Sequence, residues 1–411
     1  MPRAPSALDE LLRRPVPEQE AKGYADTARE IASQPALWRK TAGTVREAYS
    51  RLASLSRGAS RLVLTGAGSS FYAALGAAYA LRGTFRMCEA IPSTEIVMDP
   101  DAWLPREDFL LVSFARSGES PEGNAAVSLA EQLRPGRVRH LAVTCNRAGG
   151  LGRMVSAIGE RGRTLYLPEE TNDRGLAMTA SATCLTIAGY ALAFLESADT
   201  YEGMVEGLAE AAVPLLEHGS DLALALSRDG FSRVFFIASP PFLAGAQEAH
   251  LKIHELTGGR ITAKAEDALG FRHGFMGSVD ASSLVVLFFS SEPYRRRYEL
   301  DLLADIKAKG IGKKILVVAD RCSAAELGAA GAAPADLLEY GVHRAVTDAV
   351  RSPLVALPGQ LMGLFSSLAL GLKPDAPSPS GVINRVVRGV RIHPFREGHE
   401  GPVGSWPAPG R

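Results

Sequence analysis

The 411-residue sequence has no excess of either charge: 45 Lys plus Arg stand against 45 Asp plus Glu. That balance argues against nucleic acid or an anionic membrane as partner, since both select for a basic surface. Any anion site must therefore be local. Cysteine is scarce. Cys88, Cys145, Cys184 and Cys322 show no paired spacing, which excludes a disulfide framework and a zinc pattern and fits a reducing compartment. Long hydrophobic runs are missing too. The longest apolar stretch is read as Ala182–Leu195, too short to span a bilayer and interrupted by Thr183 and Thr186. The N-terminal MPRAPSALDELLRRPVPEQEAK lacks the apolar core of a signal peptide. These absences place the protein in the cytoplasm.

What is present fits a soluble globular protein: 46% hydrophobic and 22% charged residues, with a length suited to two domains. Residues 1–45 have a polar, helical pattern, with Leu37 and Trp38 available for packing. Strands are expected at Arg61–Thr65, Asp108–Ser113, His140–Thr144 and Thr164–Leu167, the first two each followed by a short loop and a helix. Their apolar runs are continuous rather than alternating, the mark of parallel strands buried on both faces. The order repeats at Arg233–Ile237, Ser283–Phe288 and Lys314–Val318. Val234 lies 172 positions after Leu62, Val286 175 after Leu111, and Val317 174 after Val143. Three strands shifted by nearly one amount argue for a duplicated α/β domain, two doubly wound units in tandem. The expected division is an N-terminal helical segment (1–45), a first domain (46–218), a second domain (219–376) and a C-terminal tail (377–411). Residues 397–411, rich in Pro and Gly, are expected to be poorly ordered.

Two loops of the first half carry unusual chemistry. Gly66, Gly68, Ser69 and Ser70 place a tight turn and small hydroxyls at a strand's carboxyl end, where a helix begins. Free backbone N–H groups and the helix dipole favour an anion there. Arg116, Ser117, Gly118 and Ser120 repeat the device one loop later and add a cation. Such loops meet in the ligand crevice of doubly wound folds. Gly and Ser also serve as plain turn and cap residues, but two such loops in one domain suit a phosphate monoester. Nucleotide fingerprints do not fit: G-A-G-S-S is not G-x-G-x-x-G, and no G-x-x-x-x-G-K-[ST] occurs.

T-G-A-G-S-S followed by S-F-A-R-S-G-E-S-P resembles the paired serine loops of sugar isomerase (SIS) domains. The resemblance is strongest to the AgaS group, tagatose-6-phosphate ketose/aldose isomerases or galactosamine-6-phosphate deaminases. It is more distant to the isomerase half of glucosamine-6-phosphate synthase. QPALW (35–39), STEIV (93–97), LPEETNDR with AMTAS (167–181), KIHELTGGR (252–260), GFRHG (270–274) and SGVINRVVRGV (380–390) are similar to AgaS segments. The resemblance covers residues 25–393. It implies that Gly68, Ser69, Ser70, Arg116, Ser117 and Ser120 bind the substrate phosphate. It implies that Glu255 of a Lys-x-x-Glu helix moves the proton between C1 and C2 beside Lys252. It also implies that His273 opens the sugar ring, contributed by a partner subunit in a dimer or higher oligomer with shared sites. Arg388 takes the place of the family's C-terminal Lys. An Arg there cannot form an imine, though it can hold negative charge. Phe275-Met276 is a second departure, where relatives carry Pro and a polar residue. The implied reaction converts an amino or keto hexose 6-phosphate, with galactosamine 6-phosphate going to tagatose 6-phosphate plus ammonia, and uses no cofactor. Neither an N-terminal Cys nor a glutamine amidotransferase domain is present, so a full synthase is not expected.

Read without the family, Lys252 and Glu255 share a helical face at i and i+3, which describes a surface ion pair equally well. Their helix follows Phe235-Phe-Ile-Ala-Ser-Pro-Pro, the counterpart of the first Gly/Ser loop, which favours a role in the site. A carboxylate suits proton transfer and a His suits ring opening. His250 and His254, at i and i+4, have a metal-ligating spacing but no third ligand at zincin spacing, so no metal is expected. Glu169, Glu170, Asn172 and Asp173 form either a solvated turn or, running into Ala177–Ser181, a substrate-facing loop. On the second reading Glu170, Thr179 and Ser181 bind substrate. A rival class, a non-catalytic phosphosugar-binding regulator, would keep the serine loops without needing Glu255 and His273.

Overall fold

The computed structural model describes residues 4–59, 61–85, 87–387 and 389–395. Ten strands among them form two five-stranded sheets. The first contains β1 (Arg61–Gly66), β2 (Met87–Pro92), β3 (Phe109–Ala115), β4 (Val138–Thr144) and β5 (Gly162–Tyr166), in the order β2-β1-β3-β4-β5. The second contains β6 (Arg233–Ala238), β7 (Thr262–Glu266), β8 (Ser283–Phe289), β9 (Lys314–Ala319) and β10 (Leu337–Glu339), in the order β7-β6-β8-β9-β10. Every pairing is parallel. The two orders are the same once the second is renumbered, so the duplication seen in the strand offsets extends to topology. The apolar runs of β1, β3, β6, β8 and β9 are buried along almost their whole length, as strands covered by helices on both faces must be.

Two helices of 32 residues, Ala25–Ser56 and Ala198–Asp229, pack together and tie the halves. Residues 45/46 and 218/219, where the sequence analysis draws domain boundaries, lie inside them. Trp38 is fully buried and donates its indole N–H to Thr183 Oγ1 at 2.9 Å. The sequence analysis takes Ala182–Leu195 as the longest apolar stretch. The structure corrects this: the helix Ser352–Ala369 is longer and equally apolar. It is long and apolar enough to cross a membrane, but 89% of it is buried inside the protein. It packs along both Ala198–Asp229 and Leu243–Leu256. Gly359 permits the second contact, because a Cβ there would lie 2.4 Å from Ala249 Cα.

Candidate active site

Each sheet reverses its strand order at one point, and a doubly wound fold opens its ligand crevice there, outside the strands' carboxyl ends. In the first sheet that point lies between β1 and β3. The turn after β1 is tight: a Cβ on Gly66 would lie 2.5 Å from the Ser70 carbonyl carbon. Gly68 takes φ +55° and caps the helix Ser69–Leu81 without a side chain, while the N–H groups of Ser70, Phe71 and Tyr72 turn back onto the carbonyls of Ala67 and Gly68. After β3, Ser120 caps the helix Pro121–Leu133 by accepting the Gly123 N–H, and Ser117 Oγ accepts the Glu119 N–H. Gly68, Ser69, Ser70, Arg116, Ser117 and Ser120 all line one cleft of about 830 Å³, as does Glu255.

The helix Leu243–Leu256 crosses over from the second half. Lys252 is completely buried, and its Nζ donates to Ser69 Oγ at 2.9 Å and to Glu255 Oε2. A third member of this face went unnoticed in the sequence, although its i−4 spacing from Lys252 is a usable signal. Glu248 is buried with Oε1 3.2 Å from Lys252 Nζ, and neither of its carboxylate oxygens has a hydrogen-bond partner. Burial pushes its pKa up to about 7; the Glu255 charge adds to this and Lys252 opposes it. Burial pulls Lys252 down, but the charges of Glu248 and Glu255 outweigh it, so its pKa is raised. Lys252 therefore remains an ammonium wedged between the serine loop and Glu255. Glu255 keeps 24% of its side chain exposed and faces the cleft. The helix thus presents a carboxylate held beside a permanent cation, suited to accepting a proton from a bound molecule.

Arg116 is less free than its sequence context suggests. It is buried, and its guanidinium donates to the carbonyls of Gly175 (3.3 Å), Leu176 (3.0 Å) and Arg385 (2.5 Å). Burial pulls its pKa down, with the Asp173 charge opposing. Arg116 thereby joins the crevice to two other chain segments. Asp173 organises one of them: its Oδ2 accepts from Thr179 N, Ser181 N and Ser181 Oγ at 2.5–2.9 Å. Glu30 accepts the Arg174 and Gly175 N–H groups, and burial together with the Asp173 charge pushes its pKa up to about 7. Arg385 fixes the other segment, donating to Asp173 O and Asn172 Oδ1 at 2.8 and 2.7 Å. Residues 377–380 and 382–387 form a wall of the cleft.

Of the sequence-derived candidates, Gly68, Ser69, Ser70, Arg116, Ser117, Ser120, Lys252 and Glu255 come together. Thr179 and Ser181 do not line the cleft; they are buried and bound to Asp173, while their neighbours Leu176 and Met178 reach it. Glu170 is turned outward by the 3-10 turn Glu169–Thr171 and pairs with Lys40 on the surface. These three are corrections to the substrate-loop reading, since hydrogen bonding within the loop and solvation decide their positions. His273 is exposed on the turn after Gly270–Arg272, outside this chain's cleft. Arg388 lies outside the described residues. His254 lines the cleft with Nε2 3.1 Å from Ala263 O, and its ring meets His250 edge-on at 5.9 Å.

No protein-family model matches the chain. Individual proteins do. The AgaS protein of Streptomyces coelicolor is 40% identical over 381 residues, covering 90% of this chain and 96% of its own. This chain belongs to the AgaS family. The D-galactosamine-6-phosphate deaminase AgaS of Escherichia coli is 35% identical over 379 residues, covering 90% of this chain and 96% of its own. The crystal structure of the tagatose-6-phosphate ketose/aldose isomerase of Escherichia coli superposes with a TM-score of 0.78 at 31% identity, covering 90% of this chain and 96% of that one. The two parallel sheets flanked by helices are thus those of sugar isomerase domains.

Proposed function

We propose that this protein is an amino-sugar phosphate deaminase and isomerase that converts galactosamine 6-phosphate to tagatose 6-phosphate with release of ammonia. One observation carries the reading: Lys252, three residues from Glu255, reaches the serine loop itself, 2.9 Å from Ser69 Oγ. The acid–base group and the anion site are therefore parts of one crevice. The phosphate sits at the N-terminal end of the helix Ser69–Leu81, against the hydroxyls of Ser69, Ser70, Ser117 and Ser120. Glu255 removes the C2 proton of the open-chain aldehyde and returns it at C1 through an enolamine, leaving an imine at C2. Water hydrolyses that imine to the ketone, releasing ammonia. Lys252 positions the Glu255 carboxyl through its hydrogen bond to Oε2 and offsets negative charge on the sugar oxygens.

Ring opening falls to His273 of a second subunit. His273 supports this by lying exposed and outside its own cleft, between exposed Leu269 and Phe275. A homodimer with composite sites follows, in a cytoplasmic setting. Arg388 is assigned to holding charge at the mouth of the site. The regulator reading is disfavoured because a sensor has no use for a partly exposed carboxylate locked to a buried lysine. Assay of the purified protein against hexosamine and ketohexose 6-phosphates, with ammonia detection, tests the proposal. The expected result is ammonia release from galactosamine 6-phosphate and little from galactosamine. Equal turnover of both sugars would remove the phosphate site, and no ammonia from any aminosugar phosphate would remove the deaminase.

A further inference from the structure

The second sheet has a switch point of its own, between β6 and β8. The loop after β6 is Ser239-Pro240-Pro241, and neither proline has an N–H to offer an anion. The loop after β8 keeps the chemistry of the first crevice. Ser290 and Ser291 follow the strand, a helix begins at Pro293 as one begins at Pro121 in the first half, and Arg295 stands in its first turn. Those donors converge on one side chain. Asp348 accepts from Ser290 Oγ at 2.5 Å, from Ser291 N at 3.2 and 3.3 Å, and from Arg295 Nη2 at 3.0 Å. Arg351 Nη1 lies 3.2 Å from its other oxygen. Asp348 and Arg351 are both buried.

A hydroxyl, a backbone N–H at a strand's carboxyl end and two guanidiniums form the donor set of an oxyanion site. The carboxylate filling it comes from outside the sheet, from the turn Asp348–Val350 that leads into the helix Ser352–Ala369. Asp320 sits at the edge of the cluster, 3.4 Å from Arg351 and 3.3 Å from Ser291 Oγ. Without Asp348, the two guanidiniums would be left with Asp320 and with buried Glu299, which accepts the Ser290 N–H at 2.7 Å behind them.

We infer that the second crevice is an oxyanion site whose resident ligand is the protein's own Asp348 carboxylate, and that removing this carboxylate makes the protein bind a small free carboxylate there. The duplicated fold then holds two anion crevices of one design, one open to a phosphosugar and one closed by the chain. The wild-type protein takes one phosphosugar per chain, not two. The inference concerns binding only and stands apart from the turnover reaction.

Thermal denaturation of Asp348→Gly in sodium acetate, against sodium chloride at equal ionic strength, tests it. Acetate supplies the methyl and carboxylate atoms the substitution removes. The variant is expected to melt below wild type and to gain about 2–4 °C saturably with acetate, as ligand linkage requires. Wild type and Asp348→Asn, whose amide still fills the space, should not respond. An equal response of all three proteins, or none from Asp348→Gly, overturns the inference. If Asp348→Gly does not fold, a double-mutant cycle of Asp348→Asn with Arg295→Met decides. Losses in melting temperature smaller in combination than in sum support a carboxylate–guanidinium ligand pair; strictly additive losses contradict it.

Discussion

The two halves of the chain share a strand order and differ at the point where that order opens a crevice. In the first, the turn after β1 uses Gly66 and Gly68, and the crevice is lined by the serines of both loops. In the second, Ala238 ends β6 where Gly66 ends β1, two prolines follow, and Asp348 occupies the donors after β8. A fold therefore supplies the crevice, while side chains decide whether it binds a ligand or closes on itself. The second half contributes differently: its helix Leu243–Leu256 carries Lys252 and Glu255 into the first half's site.

Among substitutions that reshape a crevice, the largest expected loss comes from spoiling the open one at the turn after β1. Gly66→Ala puts a Cβ 2.5 Å from backbone. It should lower kcat/KM by about 10²-fold through displacement of the serine loop, and stability by about 1–3 kcal/mol, read by steady-state kinetics and urea denaturation. Ala238→Gly, the mirror position, should leave kcat/KM unchanged. Arg116→Ala should raise KM by roughly 10- to 100-fold, since charge-assisted contacts are worth ~1.5–3 kcal/mol. Its three carbonyl partners make this a test of how the cleft is assembled as much as of phosphate charge.

Buried Glu299, which takes the Ser290 N–H in the closed crevice, has its pKa pushed up to about 7 by burial. A carboxyl raised on folding binds more protons in the native than in the unfolded state. Its contribution to stability therefore falls as pH rises from its ordinary value near 4.5 to about 7, and is flat above. Glu299→Gln should remove that fall, so its stability relative to wild type should improve by roughly 1–3 kcal/mol between pH 5 and pH 8 in urea titrations. The smallest effect belongs to Glu170→Ala. A surface pair with Lys40 contributes less than about 1 kcal/mol, and kcat/KM should stay within about twofold of wild type; a larger fall would return Glu170 to the site.

The central strands were legible because both of their faces are covered, giving unbroken apolar runs such as Leu62–Leu64 and Leu284–Phe289. The edge strands β2, β7 and β10 were not. MCEAIP alternates in burial, TAKAE carries two charges, and β10 has three residues, so none presents such a run. The serine loops and the Lys252–Glu255 pair could be read because their partners are close in sequence or set by strand ends. The roles of Arg116 and Asp173 could not, because the guanidinium's carbonyl partners lie 59, 60 and 269 residues away. Nothing in local pattern announces Asp348, whose partners Ser290 and Arg295 are 58 and 53 residues distant. Glu248 was readable in principle, being one turn from Lys252 on the same face.

The central claim is that a carboxylate from the second half performs proton transfer in the first half's crevice. Incubating wild type and Glu255→Gln with galactosamine 6-phosphate in heavy water, and following the C1 and C2 protons by NMR, tests it most directly. Gln keeps the shape and can still accept a hydrogen bond from Lys252, but cannot take a proton. Substrate binding should be nearly unchanged and exchange should slow by roughly 10²–10⁴-fold, the usual contribution of a positioned general base. Exchange in Glu255→Gln as fast as in wild type would contradict the account and reduce Lys252 and Glu255 to a structural ion pair.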